Sequence, residues 1–212
     1  MAYNKRPEAD VLYDRFSLIY AAYHECGHAI YALLNFANVT DIEIFEKTNS
    51  GLTHFEPYPY SLINDKSLTL AFANKEVEIF YAGFSAEKYL YKKLSGSDIF
   101  PKSLKYGLSD DNKNAFEIIK KYNLCQQGQR TKFKNSKIKK IIKVLQNNWL
   151  DIELLSHALF RERKLLESDI EKILTKKSKN KIFWISHLKL VKNLGIVYTK
   201  LSEQEIKTII TR

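Results

Sequence analysis

Two cysteines, Cys26 and Cys125, are all that 212 residues contain. That excludes a disulfide framework and fits a reducing compartment such as the cytoplasm. Seven glycines and four prolines are too few for a turn-rich all-β architecture, and the abundance of Ile, Leu, Lys and Asn favours helices instead. No stretch approaches the about 18 uninterrupted apolar residues of a membrane span, so no transmembrane segment is expected. The first residues, Met1-Ala-Tyr-Asn-Lys-Arg-Pro-Glu, lack an apolar core of signal-peptide length. A G-x-x-x-x-G-K-[ST] loop is also missing, and this chain is not expected to carry a P-loop ATPase of its own.

What is present is a core-forming composition, with 45% apolar residues and 13% aromatics. The length suits one well-filled core with a small appendage. Thirty-four Lys and Arg face 24 Asp and Glu, and much of the excess is local. Seven basic residues and no acid lie between Arg130 and Lys143, and four more between Lys176 and Lys181. No DNA- or RNA-binding motif accompanies them, so solvated helix faces and a linker are expected rather than a nucleic-acid site.

The chemistry concentrates in Tyr23-His24-Glu25-Cys26-Gly27-His28-Ala29-Ile30, a His-Glu-x-x-His pattern inside an apolar helix running from Arg15 to about Asn35. Residues four apart on a helix stand one above the other, so His24 and His28 can point imidazole nitrogens at one metal ion. Glu25 sits about 100° round the helix. There it can reach a water beside the metal and act as a general base, but it is badly placed to be a third ligand. Two buried imidazoles on an apolar face need something to satisfy them. Gly27 costs about 1 kcal/mol against Ala in a helix interior, which points to close packing against its backbone. Cys26 points away from the metal into the core.

Further along, Asp41-Ile-Glu-Ile-Phe-Glu and Leu52-Thr-His-Phe-Glu flank a Lys47–Gly51 turn and predict a hairpin. Thr53 and His54 on its second strand are candidates for touching substrate, since an edge strand can hold an extended peptide. Leu68 to Leu94 reads as a helix in which Glu87 shares the inward face of Phe80 and Phe84 and therefore needs a partner. A helix capped by Ser109 or Asp110 follows. Its phase stacks Asp111 with Ala115, Ile118, Ile119 and Tyr122, so Asp111 points inward and Asp110 outward. Lys137–Leu150 and Asp151–Leu174 read as two amphipathic segments, Thr175–Lys181 as a charged linker, Ile182–Leu194 as an apolar segment, and Ser202 onward as a capped last helix. His157 and His187 match no metal motif.

These blocks, in this order, resemble the peptidase domain of the FtsH-type AAA+ zinc proteases. Tyr23-His-Glu-Cys-Gly-His-Ala-Ile resembles the family's metal helix, which usually has Ala at the place of Cys26. Ser50-Gly-Leu-Thr53 resembles its hairpin, Ala82-Gly-Phe-Ser-Ala-Glu87 its A-G-x-x-A-E helix, and Gly107-Leu-Ser-Asp-Asp111 the segment that supplies its third zinc ligand. Ala158 to Ile173 is similar to its C-terminal helical turn. The resemblance spans about residues 15 to 175, and the family's ATPase module and membrane helices have no counterpart here. It implies a mainly α fold with a small β-hairpin or sheet, a helical zincin over residues 1–175, with 176–212 as a basic linker and helical appendage. It also implies Zn²⁺ on His24, His28 and Asp111, with Glu25 as general base. Glu87 is expected to support a ligating imidazole, and its other possible role is third ligand in place of Asp111.

The expected activity is hydrolysis of flexible or unfolded polypeptides, with docking or self-association through 176–212 open. The competing expectation is a catalytically silent zinc-binding adaptor of the same fold, against which the intact Glu25 speaks.

Overall fold

The computed structural model describes residues 17–56, 58, 65–100 and 108–197. The expectations for residues 1–14, for Pro57, Pro59 and Ser61–Asn64, for Gly107 and for a helix from Ser202 lie outside them. The described residues are mainly helical with one small antiparallel sheet.

Helix α1 (Ser17–Leu34) is the central element. Its residues from Tyr20 to Leu33 are buried without interruption, the behaviour of a helix packed on every side. It ends where Phe36 turns left-handed at φ 62°. Ala37 N–H then reaches back to the Ala32 carbonyl at 3.0 Å and Phe36 N–H to that of Leu33 at 2.9 Å, which satisfies the last carbonyls.

Strands β1 (Val39–Phe45) and β2 (Ser50–Phe55) form the expected hairpin, with Glu43 opposite Leu52 and Phe45 opposite Ser50. Ile42 and Ile44 of β1 are buried. A third strand, β3 (Lys164–Leu166), pairs with β1 and makes the order β2-β1-β3. The amphipathic segment Asp151–Leu174 is therefore not one continuous helix. The chain instead forms α5 (Trp149–Glu162), turns left-handed at Arg163 (φ 63°), runs through β3 and starts α6 (Glu167–Lys176). The break is held from outside the segment, because Ile44 N–H donates to the Arg163 carbonyl at 2.9 Å and Arg163 Nε to Glu46 at 2.6 Å.

Helix α2 (Lys66–Ser95) is 30 residues long, about 45 Å at 1.5 Å per residue. Asp65 caps its start by accepting from the Ser67 and Leu68 amides, and Gly96 at φ 70° ends it. Its packing on α1 requires Gly27, since a Cβ there would lie 2.6 Å from Ala86 Cβ and 2.9 Å from the Ala82 carbonyl oxygen. Helix α3 (Leu108–Tyr122) lies against α2. It begins earlier than expected, so Asp110 and Asp111 occupy its first turn, where the helix dipole favours acids. Helix α4 (Arg130–Asn147) buries Ile138, Ile141 and Leu145 against the core.

The last helix, α7 (Lys181–Val197), joins the same core through Trp184, Leu188 and Val191. Buried Asp151 of α5 draws it in by accepting from Trp184 Nε1 at 2.9 Å and from Ser178 Oγ at 2.5 Å. His187 Nε2 donates to the Leu33 carbonyl at 2.8 Å. The 175/176 division expected from the sequence thus falls just before a stretch that the core itself anchors. Among the described residues no helix is long and apolar enough to cross a membrane.

Candidate metal centre

Three ligand atoms meet at the α1–α2–α3 junction. His24 Nε2 and His28 Nε2 are 3.0 Å apart, and Asp111 Oδ2 lies 3.0 Å from the first and 3.1 Å from the second. Both histidines are buried and Asp111 is partly so. Around a tetrahedral ion with bonds of about 2.0–2.1 Å, ligand atoms stand about 3.3–3.4 Å apart. The triangle therefore needs to open by only a few tenths of an ångström to hold one.

The opposite ring nitrogens decide what the triangle wants. His28 Nδ1 is 2.7 Å from the Ile79 carbonyl oxygen, which can only accept, so this nitrogen carries the proton. His24 Nδ1 is 2.7 Å from Glu87 Oε1, a carboxylate oxygen that imposes the same tautomer. In the neutral imidazoles both Nε2 atoms are then lone pairs. Two lone pairs and a carboxylate oxygen within 3.1 Å of one another repel unless a cation or protons lie among them. Burial disfavours charge on His24, yet Glu87 and Asp111 outweigh it and raise its pKa well above the usual imidazole value. Burial likewise opposes, and Asp111 overcomes, a rise at His28. Burial would push the Asp111 carboxyl up, but the two imidazoles hold it below the ordinary carboxylate range. Without metal, the same field collects protons.

Helix α2 supplies the back wall through one stripe. Ile79, Gly83 and Glu87 are spaced four apart and face α1, so the Ile79 carbonyl meets His28 and Glu87 meets His24. Gly83 lies between them, and a Cβ there would fall onto the Nε2 atoms of both histidines. Sequence reasoning missed Gly83, although a glycine inside a helix four residues before an inward carboxylate was a usable signal. Glu87 accepts on the side of the His24 ring away from the triangle, which places Asp111, and not Glu87, among the three converging atoms.

Glu25 is buried at the hairpin. Thr53 Oγ1 stands 2.7 Å from its Oε2 and 3.0 Å from its backbone oxygen. Gly51, two residues earlier on the same face of β2, leaves room for it, since a Cβ at 51 would strike Glu25 Cγ. Thr53 therefore touches the candidate base directly. His54 faces the other side of the strand, exposed and paired with Asp41 at 3.0 Å. His157 is exposed, and Cys26 is buried in the core.

No protein-family model matches this chain, and no curated protein matches it.

Proposed function

We propose that this chain is a zinc-dependent endopeptidase of the FtsH peptidase type, acting on flexible or unfolded polypeptides. The carrying observation is the convergence of His24 Nε2, His28 Nε2 and Asp111 Oδ2 within 3.1 Å, with a buried carboxylate, Glu25, next in sequence to the first ligand. The order of the motif blocks supports the family reading.

Two nitrogens and one oxygen suit Zn²⁺ with an open fourth position. Bound there, zinc supplies Lewis acidity that brings the pKa of a water towards about 7 and polarises a scissile carbonyl. The protein's own residues do the rest. Glu25 would be the residue to accept a proton on a carboxylate oxygen and pass it to the leaving amine. Thr53 holds the carboxylate in place, while Glu87 and the Ile79 carbonyl fix both imidazoles in the tautomer that presents Nε2. Strand β2 is at the sheet edge, so an extended peptide can align beside it and pass Glu25. A tightly folded protein holds most of its backbone in its own hydrogen bonds and rarely offers a free extended segment.

The test uses the full chain loaded with zinc and an unfolded protein substrate such as casein. Cleavage is expected, is lost with chelator, and falls about 10²–10⁴-fold in Glu25→Gln while bound zinc stays stoichiometric. A zinc-replete wild-type protein that cleaves no peptide would overturn the enzyme reading in favour of the adaptor.

A further inference from the structure

Helix α7 has two apolar faces, and the core uses one. Trp184, His187, Leu188 and Val191 are buried, whereas Ile182 is 78% exposed, Leu190 51%, Phe183 45% and Ile185 43%. At 100° per residue the four exposed side chains fall on one arc opposite the buried ones, with Lys189 among them. Single exposed apolar residues are ordinary, but four large ones on one helix face mark a contact surface.

The stretch of chain that carries this face has charge of one sign. From Lys172 to Ser202 the chain has eight lysines and no Asp or Glu. Lys192 is neutralised by Glu171 and Glu167 of α6, while Lys179, Lys181 and Lys189 stand exposed. Lysine stems can lie along an apolar surface while their ammonium groups seek anions. An apolar helix face rimmed by exposed lysines matches the boundary of an anionic bilayer, where acyl chains accept the hydrocarbon and phosphates the cations.

We propose that the outer face of α7 docks this protein onto anionic phospholipid membranes, lying in the interface and not crossing it. The depth is shallow, because Trp184 on the opposite face remains locked to Asp151. Binding is reversible and salt-sensitive, as one helix face with a few lysines provides no permanent anchor. The surface is separate from the metal centre, and docking is independent of the chemistry proposed there.

Sedimentation of the full chain with vesicles tests this, comparing pure phosphatidylcholine with a phosphatidylcholine and phosphatidylglycerol mixture. At low salt the anionic vesicles are expected to bind at least about tenfold more tightly, with the difference collapsing at high salt. Ile182→Ser with Leu190→Ser should lower binding about tenfold without changing the thermal midpoint, since both side chains are exposed. Lys179→Glu with Lys181→Glu and Lys189→Glu should remove the preference for anionic lipid. Glu25→Gln should bind like the wild type. Failure to bind anionic vesicles, equal binding to neutral ones, or binding untouched by these substitutions would overturn the proposal. So would a chain that stays off vesicles and instead self-associates or pairs with an acidic peptide through Ile182 and Leu190.

Discussion

Two inward-facing aspartates, Asp111 and Asp151, have opposite surroundings. Asp151, 1% exposed, accepts from Ser178 Oγ, Trp184 Nε1 and the more distant Asn180 Nδ2. Every neighbour brings a hydrogen to it, so its carboxylate is satisfied by neutral donors and ties three segments together. Asp111 faces two imidazole nitrogens whose rings have already committed their protons to Glu87 and the Ile79 carbonyl. Among the described residues nothing at Asp111 donates until protons or a cation arrive. Burial of an acid is thus no guide to function; the direction of the surrounding hydrogens is.

Removing each carboxylate should separate the two roles. Asp111→Ala is expected to lose stoichiometric zinc after dialysis, and peptide cleavage with it, while the metal-free protein unfolds at nearly the wild-type temperature. Asp151→Ala leaves Trp184 Nε1–H and the Ser178 hydroxyl buried without an acceptor. That should cost about 3 kcal/mol, roughly 6–12 °C in Tm at this length, with zinc content per folded molecule unchanged. Metal analysis beside a thermal melt reads both. A zinc-replete Asp111→Ala protein would remove Asp111 from the ligand set. Glu87→Gln belongs between the two, with zinc affinity lower by about 10–100-fold, as for other partners of ligating histidines.

The glycines of the α1–α2 contact sharpen the contrast within one interface. Gly83→Ala puts a methyl group where both Nε2 atoms converge, so the rings must turn aside. Zinc binding should weaken and cleavage fall on the order of 10²-fold, the scale expected for a misplaced catalytic group. Gly27→Ala meets Ala86 Cβ and the Ala82 carbonyl, which are parts of helices and not ring tips. Its effect should be overpacking, about 1–3 kcal/mol in stability. Equal losses of metal in the two variants would show that Gly83 serves helix packing alone.

How much of this was legible beforehand follows from the range of the interactions. Periodicity alone located α1, the hairpin and α2, and helical phase separated Asp111 from Asp110, because those patterns repeat within a few residues. Gly27 announced a close approach, which proved to be Ala82 and Ala86. The left-handed turn at Arg163 was not legible, since Arg carries no turn preference and its conformation is set by Ile44 and Glu46, more than a hundred residues away in sequence. Nor could the pattern reveal that Thr53 touches Glu25, or which face of the apolar 182–194 stretch turns inward. The second depends on Asp151 in another helix.

Thr53 allows a subtler break in the site, because it touches Glu25, the proposed base, and none of the three candidate ligands. Thr53→Val keeps the shape of the side chain and removes the hydroxyl proton. A fall in kcat of about tenfold is expected, with KM and zinc content nearly unchanged, the loss being on the scale of one hydrogen bond to a charged group. Thr53→Ser should restore most of the rate. If valine and serine were equally impaired, the methyl group and not the hydroxyl would be the relevant part.

The smallest effect concerns His187, the one buried histidine with no carboxylate beside it among the described residues. Its ring lies among Phe36, Phe183 and Trp184, and Nε2 donates to the Leu33 carbonyl. Burial lowers its pKa, and the hydrogen bond to Leu33 only partly offsets this, so the folded state prefers the neutral ring. The unfolded chain, with a pKa of about 6.5, then binds the proton more readily. The contribution of His187 is intact above about pH 6.5 and declines as the pH falls below it towards the lower folded value. His24 and His28 of the metal-free protein shift in the opposite direction, so the two kinds of histidine pull the pH profile apart. Urea melts of metal-free wild type and His187→Gln between about pH 7.5 and 5.5 isolate the term, since the amide can donate to Leu33 but cannot titrate there. The stability difference between the two proteins should shift in favour of His187→Gln as the pH falls; a difference constant across that range would show that His187 titrates alike in the folded and unfolded chains.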